Sequence, residues 1–129
     1  MLLRILVATG VLVLTLTEIA RAQDVTKGEI VFHQCVPCHS IGANAQNKVG
    51  PELNGLDGRH SGTVANFDYS DANKNSGIVW NEGTFKTYIV DPKATVPGTK
   101  MSFRGVKDPQ QVNDLWAYIK QFNADGSVK

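Results

Sequence analysis

Both cysteines of this chain fall in one short stretch, Gln34-Cys35-Val36-Pro37-Cys38-His39-Ser40, with a histidine directly behind the second. No third thiol exists to pair with either, so whatever the sulfurs do is done locally and the rest of the chain must fold around it. Three chemistries use such a pair. A dithiol–disulfide couple would sit at a helix start beside a βαβ pattern, and no alternating or β-branched strand run flanks this one. A structural zinc ion needs four ligands, usually a second Cys or His pair at similar spacing. Only His33, His39 and His60 are on offer, the last alone in a glycine loop. The third chemistry is C-x-x-C-H, in which each sulfur forms a thioether to a haem vinyl group and the adjacent imidazole becomes an axial iron ligand. Two intervening residues bring both sulfurs to one edge of a flat macrocycle, and the next residue turns its ring under the metal.

In bacteria such attachment follows export, so the N-terminus bears on the choice. Arg4, the apolar run from Ile5 to Leu16 and Ala20-Arg21-Ala22 read as the positive, apolar and cleavage regions of a secretory signal. A spanning helix wants about 20 apolar residues; this run is shorter and ends in Thr17 and Glu18. The expected organisation is a signal peptide over 1–22 and one small domain over 23–129, exported to the periplasm. Charge adds an exclusion. The 13 basic and 12 acidic side chains nearly cancel, which rules out nucleic-acid binding by bulk electrostatics. Any charged recognition must come from local clustering.

The other face of the iron decides between functions, because a thioether, an imidazole or an open site there each means something different. Outside the leader the chain has a single methionine, Met101, in Pro97-Gly98-Thr99-Lys100-Met101-Ser102-Phe103. A lone methionine is often core filler. This one lies in a Pro/Gly loop among polar neighbours, off any apolar helix stripe, which favours a ligand.

The remaining pattern is helical with long loops. Asp24 or Thr26 can cap a first helix, Thr26 and Glu29 forming a capping box, with Gly28, Val31 or Phe32 and Cys35 on one face. The stretch from Ser40 to Asp68 is glycine-rich (Gly42, Gly50, Gly55, Gly58, Gly62), with turns at Gly50-Pro51 and Asn54-Gly55. Ser70 to Gly77 reads as a short helix stopped by Gly77. Asn81 caps another, whose stripe of Phe85, Tyr88 and Ile89 ends before Pro92. The last helix is the clearest: Asp108 caps it, Pro109 takes its first position, Gln111 completes a box-like start, and Val112, Leu115, Trp116, Ile119 and Phe122 make one apolar face. So few helices around so long a loop would be odd in a compact domain. A haem resolves this, since the loops can wrap a large apolar plate.

From Asp24 to Phe122 the sequence resembles the class I soluble cytochromes c, of the mitochondrial kind and their bacterial cytochrome c2-like relatives. The stretches that carry the resemblance are CVPCH (35–39), VGPELNGLDGR (49–59), YSDANKNSGIVW (69–80), YIVDPK (88–93), PGTKM (97–101) and LWAYIK (115–120). It implies an all-α cytochrome c fold, with crossed N- and C-terminal helices and short helices and Gly-rich loops wrapped around one covalent haem c. It implies attachment through Cys35 and Cys38, and His39 and Met101 as axial ligands. By resemblance, Pro51 offers its carbonyl to the His39 ring; Tyr88, Thr99 and Asn73 form a network near the methionine sulfur; Arg59, Tyr69, Ser70 and Trp80 hold the haem propionates; and Phe103 flanks the haem edge. From the residues alone Tyr88 reads as core packing on its stripe. Gly28, Leu115 and Tyr118 match the helix crossing.

The function so implied is a monomeric electron carrier rather than an enzyme, with no small-molecule substrate. It would shuttle single electrons from a membrane cytochrome bc complex to a terminal oxidase or reaction centre. Lys48, Lys93, Lys100 and Lys107 match a docking ring of lysines. Gln34 and Ala94 stand where lysines are found in strongly basic relatives, so this face should be the weaker one and its docking less salt-sensitive. The competing class is a peroxidase or gas-binding protein with an open sixth site. It would want a distal His or Arg over the iron; His33 precedes the motif and His60 reads as a solvated loop residue. Weak peroxidase activity would follow only from detachment of Met101.

Overall fold

The computed structural model describes residues 22–129; the leader read over 1–22 therefore lies, but for Ala22, outside the described residues. Among the described residues the regular structure is helical, with no strand beyond the isolated bridges His60–Val79 and Phe122–Val128.

Helix α1 (Val25–Phe32) starts at Asp24, whose carboxylate accepts the Lys27 N–H at 3.0 Å. Of the two expected caps Asp24 takes the role, and Thr26 sits inside the first turn. The helix buries Gly28, Val31 and Phe32. Helix α2 (Asp71–Lys74) is shorter than the Ser70–Gly77 expectation. It has a good cap, Ser70 Oγ accepting the Asn73 N–H at 3.1 Å, but none of its side chains is buried, so no packing extends a helix this short.

Helix α3 (Glu82–Val90) carries a complete capping box between Asn81 and Thr84 and buries Phe85, Tyr88 and Ile89. Pro92, expected only as a stop, also opens helix α4 (Pro92–Thr95), with Asp91 as cap; a proline is pre-organised for a first helical position. In helix α5 (Pro109–Lys120), Asp108 accepts the Gln111 backbone N–H at 2.9 Å. Gln111 thus takes part through its backbone. The stripe of Val112, Leu115, Trp116 and Ile119 is buried, as is Phe122 just beyond.

The terminal helices cross at Gly28. A Cβ there would run into the Asp114 carbonyl oxygen and stand 2.8 Å from Tyr118 Cβ, so only glycine permits this approach. Asp114 lies in the crossing at 2% exposure. Its carboxylate accepts the Asp24 N–H and the Gln110 amide, both at 2.9 Å, the satisfaction a buried acid requires. Phe32 packs on Tyr118, and Phe85 on Trp116.

Residues 40–68 contain no helix. Backbone bonds fasten them: Leu53 N–H to the Ser40 carbonyl, Gly58 N–H to Trp80 and Trp80 N–H to Arg59. The buried Asn54 side chain bonds both the N–H and the carbonyl of Gly42.

Candidate haem-binding site

Loops and helices enclose a cavity of about 250 Å³. Every residue expected to hold the cofactor or the iron lines it: Cys35, Cys38, His39, Pro51, Arg59, Tyr69, Ser70, Asn73, Trp80, Tyr88, Thr99, Met101 and Phe103. Leu53, Leu56, Leu115 and Ile119 add apolar wall. Of the four lysines only Lys100 reaches the lining; all four are exposed.

On one side the chain continues from α1 into the thiol motif. Cys35 N–H bonds the Phe32 carbonyl at 2.7 Å, and the Cys38 and His39 N–H groups return to the Cys35 carbonyl at 3.0 and 2.9 Å. These turns place both sulfurs and the imidazole on one wall of the cavity. Burial pushes the Cys35 thiol up to about 11, with Cys38 adding to the shift. That is opposite to the lowered value an attacking redox thiol needs.

The His39 Nδ1–H donates to the Pro51 carbonyl at 2.6 Å. A carbonyl can only accept, so the bond fixes the tautomer and leaves the Nε2 lone pair free for a metal. Burial lowers the His39 pKa, the Pro51 bond acting against it and the charges of Arg59 and Lys48 with it. Gly50 closes over the ring: a Cβ there would lie 2.7 Å from Nδ1. Its N–H bonds the Cys38 carbonyl at 2.8 Å. The sequence marked Gly50 only as part of a turn, although a glycine before the proline was the available signal.

Met101, also in the lining, accepts the Tyr88 hydroxyl on its Sδ at 3.2 Å. Thr99 Oγ1 donates to Asn73 Oδ1 at 2.8 Å and accepts the Met101 N–H at 3.3 Å. Ser70 Oγ donates to the same Asn73 oxygen at 2.7 Å. The cap of α2 is thereby tied to the methionine loop. Burial raises the Tyr88 pKa, and hydrogen bonding to Thr99 and Asn73 pulls the other way. Trp80 meets Tyr88 edge-on, ring centroids 5.0 Å apart.

At the loop end, Arg59 Nη1 donates to the Asn54 carbonyl at 3.1 Å and Nη2 to the Glu52 carbonyl at 3.0 Å. The Glu52 carboxylate lies 3.5 Å from Nη1. Glu52 went unnoticed in the sequence, because an acid in a glycine loop reads as solvated. Val64 N–H donates to the Tyr69 hydroxyl, and Phe67, another residue missed, stacks edge-on against Tyr69.

This set fits a covalent haem c. Two thiols, a neutral imidazole and a thioether line one cavity together with apolar side chains, and hydroxyl, indole and guanidinium groups are available for carboxylates. The cytochrome c family model matches residues 25–123. The chain belongs to the cytochrome c family. It is 70% identical over 110 residues to cytochrome c2 of Blastochloris viridis, covering 85% of this chain and 87% of that one. It is 59% identical over 106 residues to cytochrome c-550 of Nitrobacter winogradskyi, covering 82% and 97%. Cytochrome cH from Methylobacterium extorquens superposes with a TM-score of 0.70 at 42% identity, over 75% of this chain and 97% of that one. As a cytochrome c of the bacterial c2-like type, the protein carries a covalent haem c and transfers electrons. No helix among the described residues is long and apolar enough to cross a membrane.

Proposed function

We propose that Cys35 and Cys38 carry the thioethers, that His39 and Met101 are the two axial ligands, and that the protein is a periplasmic carrier of single electrons. The observation that carries this reading is that His39 and Met101 line one cavity, each held by a bond of its own. His39 presents Nε2 because Pro51 holds the other ring nitrogen, and Met101 is steadied through its sulfur by Tyr88. The haem supplies the one-electron couple. The chain keeps His39 neutral by burial, walls out water with Leu53, Leu56 and Leu115, and places Arg59, Tyr69, Ser70 and Trp80 as candidate partners for the propionates. With both ligands supplied by the protein, nothing enters or leaves as the electron moves. Met/His ligation accompanies a raised potential in cytochromes c generally.

Removal of residues 1–22 would release a mature chain beginning at Gln23. Lys48, Lys93, Lys100 and Lys107 form the exposed basic groups that would meet a membrane cytochrome bc complex and a terminal oxidase or reaction centre. Lys100 is also held by Asp68 at 3.1 Å, which weakens the basic face further. Charge reversal at Lys93 should slow electron transfer to the oxidase at low salt; an unchanged rate would remove Lys93 from the docking face. Weak peroxidase activity belongs only to a state with Met101 detached.

Proton NMR of the reduced holoprotein tests the ligation. A ligating Met101 places its methyl protons in the haem ring current, far upfield of other methyls, and that resonance vanishes in Met101→Ala. An ordinary methyl shift would contradict the assignment.

A further inference from the structure

Arg59 sits in the wall of the cavity with its side chain 15% exposed, and Glu52 lies against it at 22%. Neither charge is well solvated. The bonds the Arg59 guanidinium makes to protein all run toward Glu52 and Asn54: the Asn54 carbonyl, the Glu52 carbonyl and the Glu52 carboxylate. Glu52 is itself fixed, its other carboxylate oxygen accepting the Asn54 N–H at 2.6 Å. Burial pulls the Arg59 pKa down and the Glu52 charge is the main influence opposing it. The guanidinium, which lines the cavity, thus has a resident counter-ion that is not part of the lining.

We propose that Glu52 is a positioning residue for electron transfer: it holds Arg59 and cancels its charge, so that the cavity faces a neutral pair instead of a cation, and thereby sets the reduction potential lower than Arg59 alone would. The proposal rests on the haem-carrier reading above. A cation beside the cavity disfavours the oxidised iron, which carries the extra positive charge. An acid paired with that cation removes the effect, and at partial burial the interaction is poorly screened. Any propionate that seeks Arg59 must also share it with Glu52.

The test is the midpoint potential of the holoprotein in Glu52→Gln and Glu52→Asp beside the unaltered protein, at one pH and ionic strength. Glutamine can keep the bond to the Asn54 N–H while losing the charge. Glu52→Gln should shift the iron severalfold toward the reduced form at a fixed ambient potential, and Glu52→Asp, which keeps the charge, should stay near the unaltered protein. An unchanged or lowered potential in Glu52→Gln would overturn the proposal, as would equal shifts in both variants, which would mean that shape and not charge is at work. If Glu52→Gln fails to accumulate, Arg59→Gln decides instead. Removing the cation while keeping the acid should lower the potential, and no change there would also overturn the proposal. Absence of a reversible one-electron couple in the unaltered protein would instead refute the carrier reading itself.

Discussion

His39 is fixed by backbone, whereas Met101 is fixed by side chains. On the histidine side the Pro51 carbonyl, the Gly50–Cys38 bond and the turns through Cys35 all lie between residues 32 and 51. On the methionine side, Tyr88 comes from α3, Asn73 and Ser70 from α2 and its cap, and Thr99 from the loop itself. Backbone geometry survives most substitutions that spare glycine and proline, so the first side is suited to invariable anchoring. A network of hydroxyls and one amide can be loosened one group at a time, so the hold on the proposed Met101 ligand can be adjusted there.

The harshest way to break the comparison is His39→Ala. Loss of the proposed ligand on the anchored side should abolish the low-spin holoprotein, read as absence of the reduced c-type bands after export. Met101→Ala should be milder: the chain folds and keeps its haem through the thioethers, yet the reduced protein now binds carbon monoxide and its potential falls. Comparable loss of holoprotein in both variants would erase the proposed asymmetry.

Gly50→Ala sharpens it. The new Cβ would press on the His39 ring, and overpacking of this kind costs about 1–3 kcal/mol, measurable by guanidinium unfolding of the holoprotein. A wild-type midpoint would mean that Gly50 does not constrain the histidine. Tyr88→Phe should do least, removing one bond to sulfur at about 1 kcal/mol. Its signature is a far-red sulfur-to-iron band lost at lower denaturant than in the unaltered protein.

Tyr88→Phe should also alter behaviour in alkali. Burial raises the pKa of Tyr88 and Tyr69 above the ordinary 10.0. Above that value the unfolded chain has released a proton that the folded chain still binds, so stability falls as pH rises from the unfolded pKa through the folded one. Below it both states are protonated and these tyrosines give no slope. Tyr88→Phe should flatten the alkaline loss of stability, and an unchanged slope would assign it to other groups.

The same contrast explains what could be read from the sequence. The Cys35 motif is contiguous, and α5 announces itself through Asp108, Pro109 and an unbroken apolar stripe, so the anchored side and the terminal helices were legible. Caps were ambiguous where two polar residues compete, as with Asp24 and Thr26. Pro92 was read only as the end of α3 because its fitness to start α4 depends on Asp91 turning back to cap it. The methionine side needed the family resemblance: nothing local tells Tyr88, on a buried stripe, that its hydroxyl meets a sulfur 13 residues on. Glu52 and Asp114 stayed hidden for the same reason, their partners being supplied by the fold.

The most direct measurement is the visible spectrum of the oxidised and reduced holoprotein, followed by carbon monoxide on the reduced form. A low-spin c-type spectrum with the weak far-red band, unmoved by carbon monoxide, is the result expected if Met101 closes the sixth position and the protein is a carrier. High-spin features with ready carbon monoxide binding would contradict that, and would make the site open to ligands.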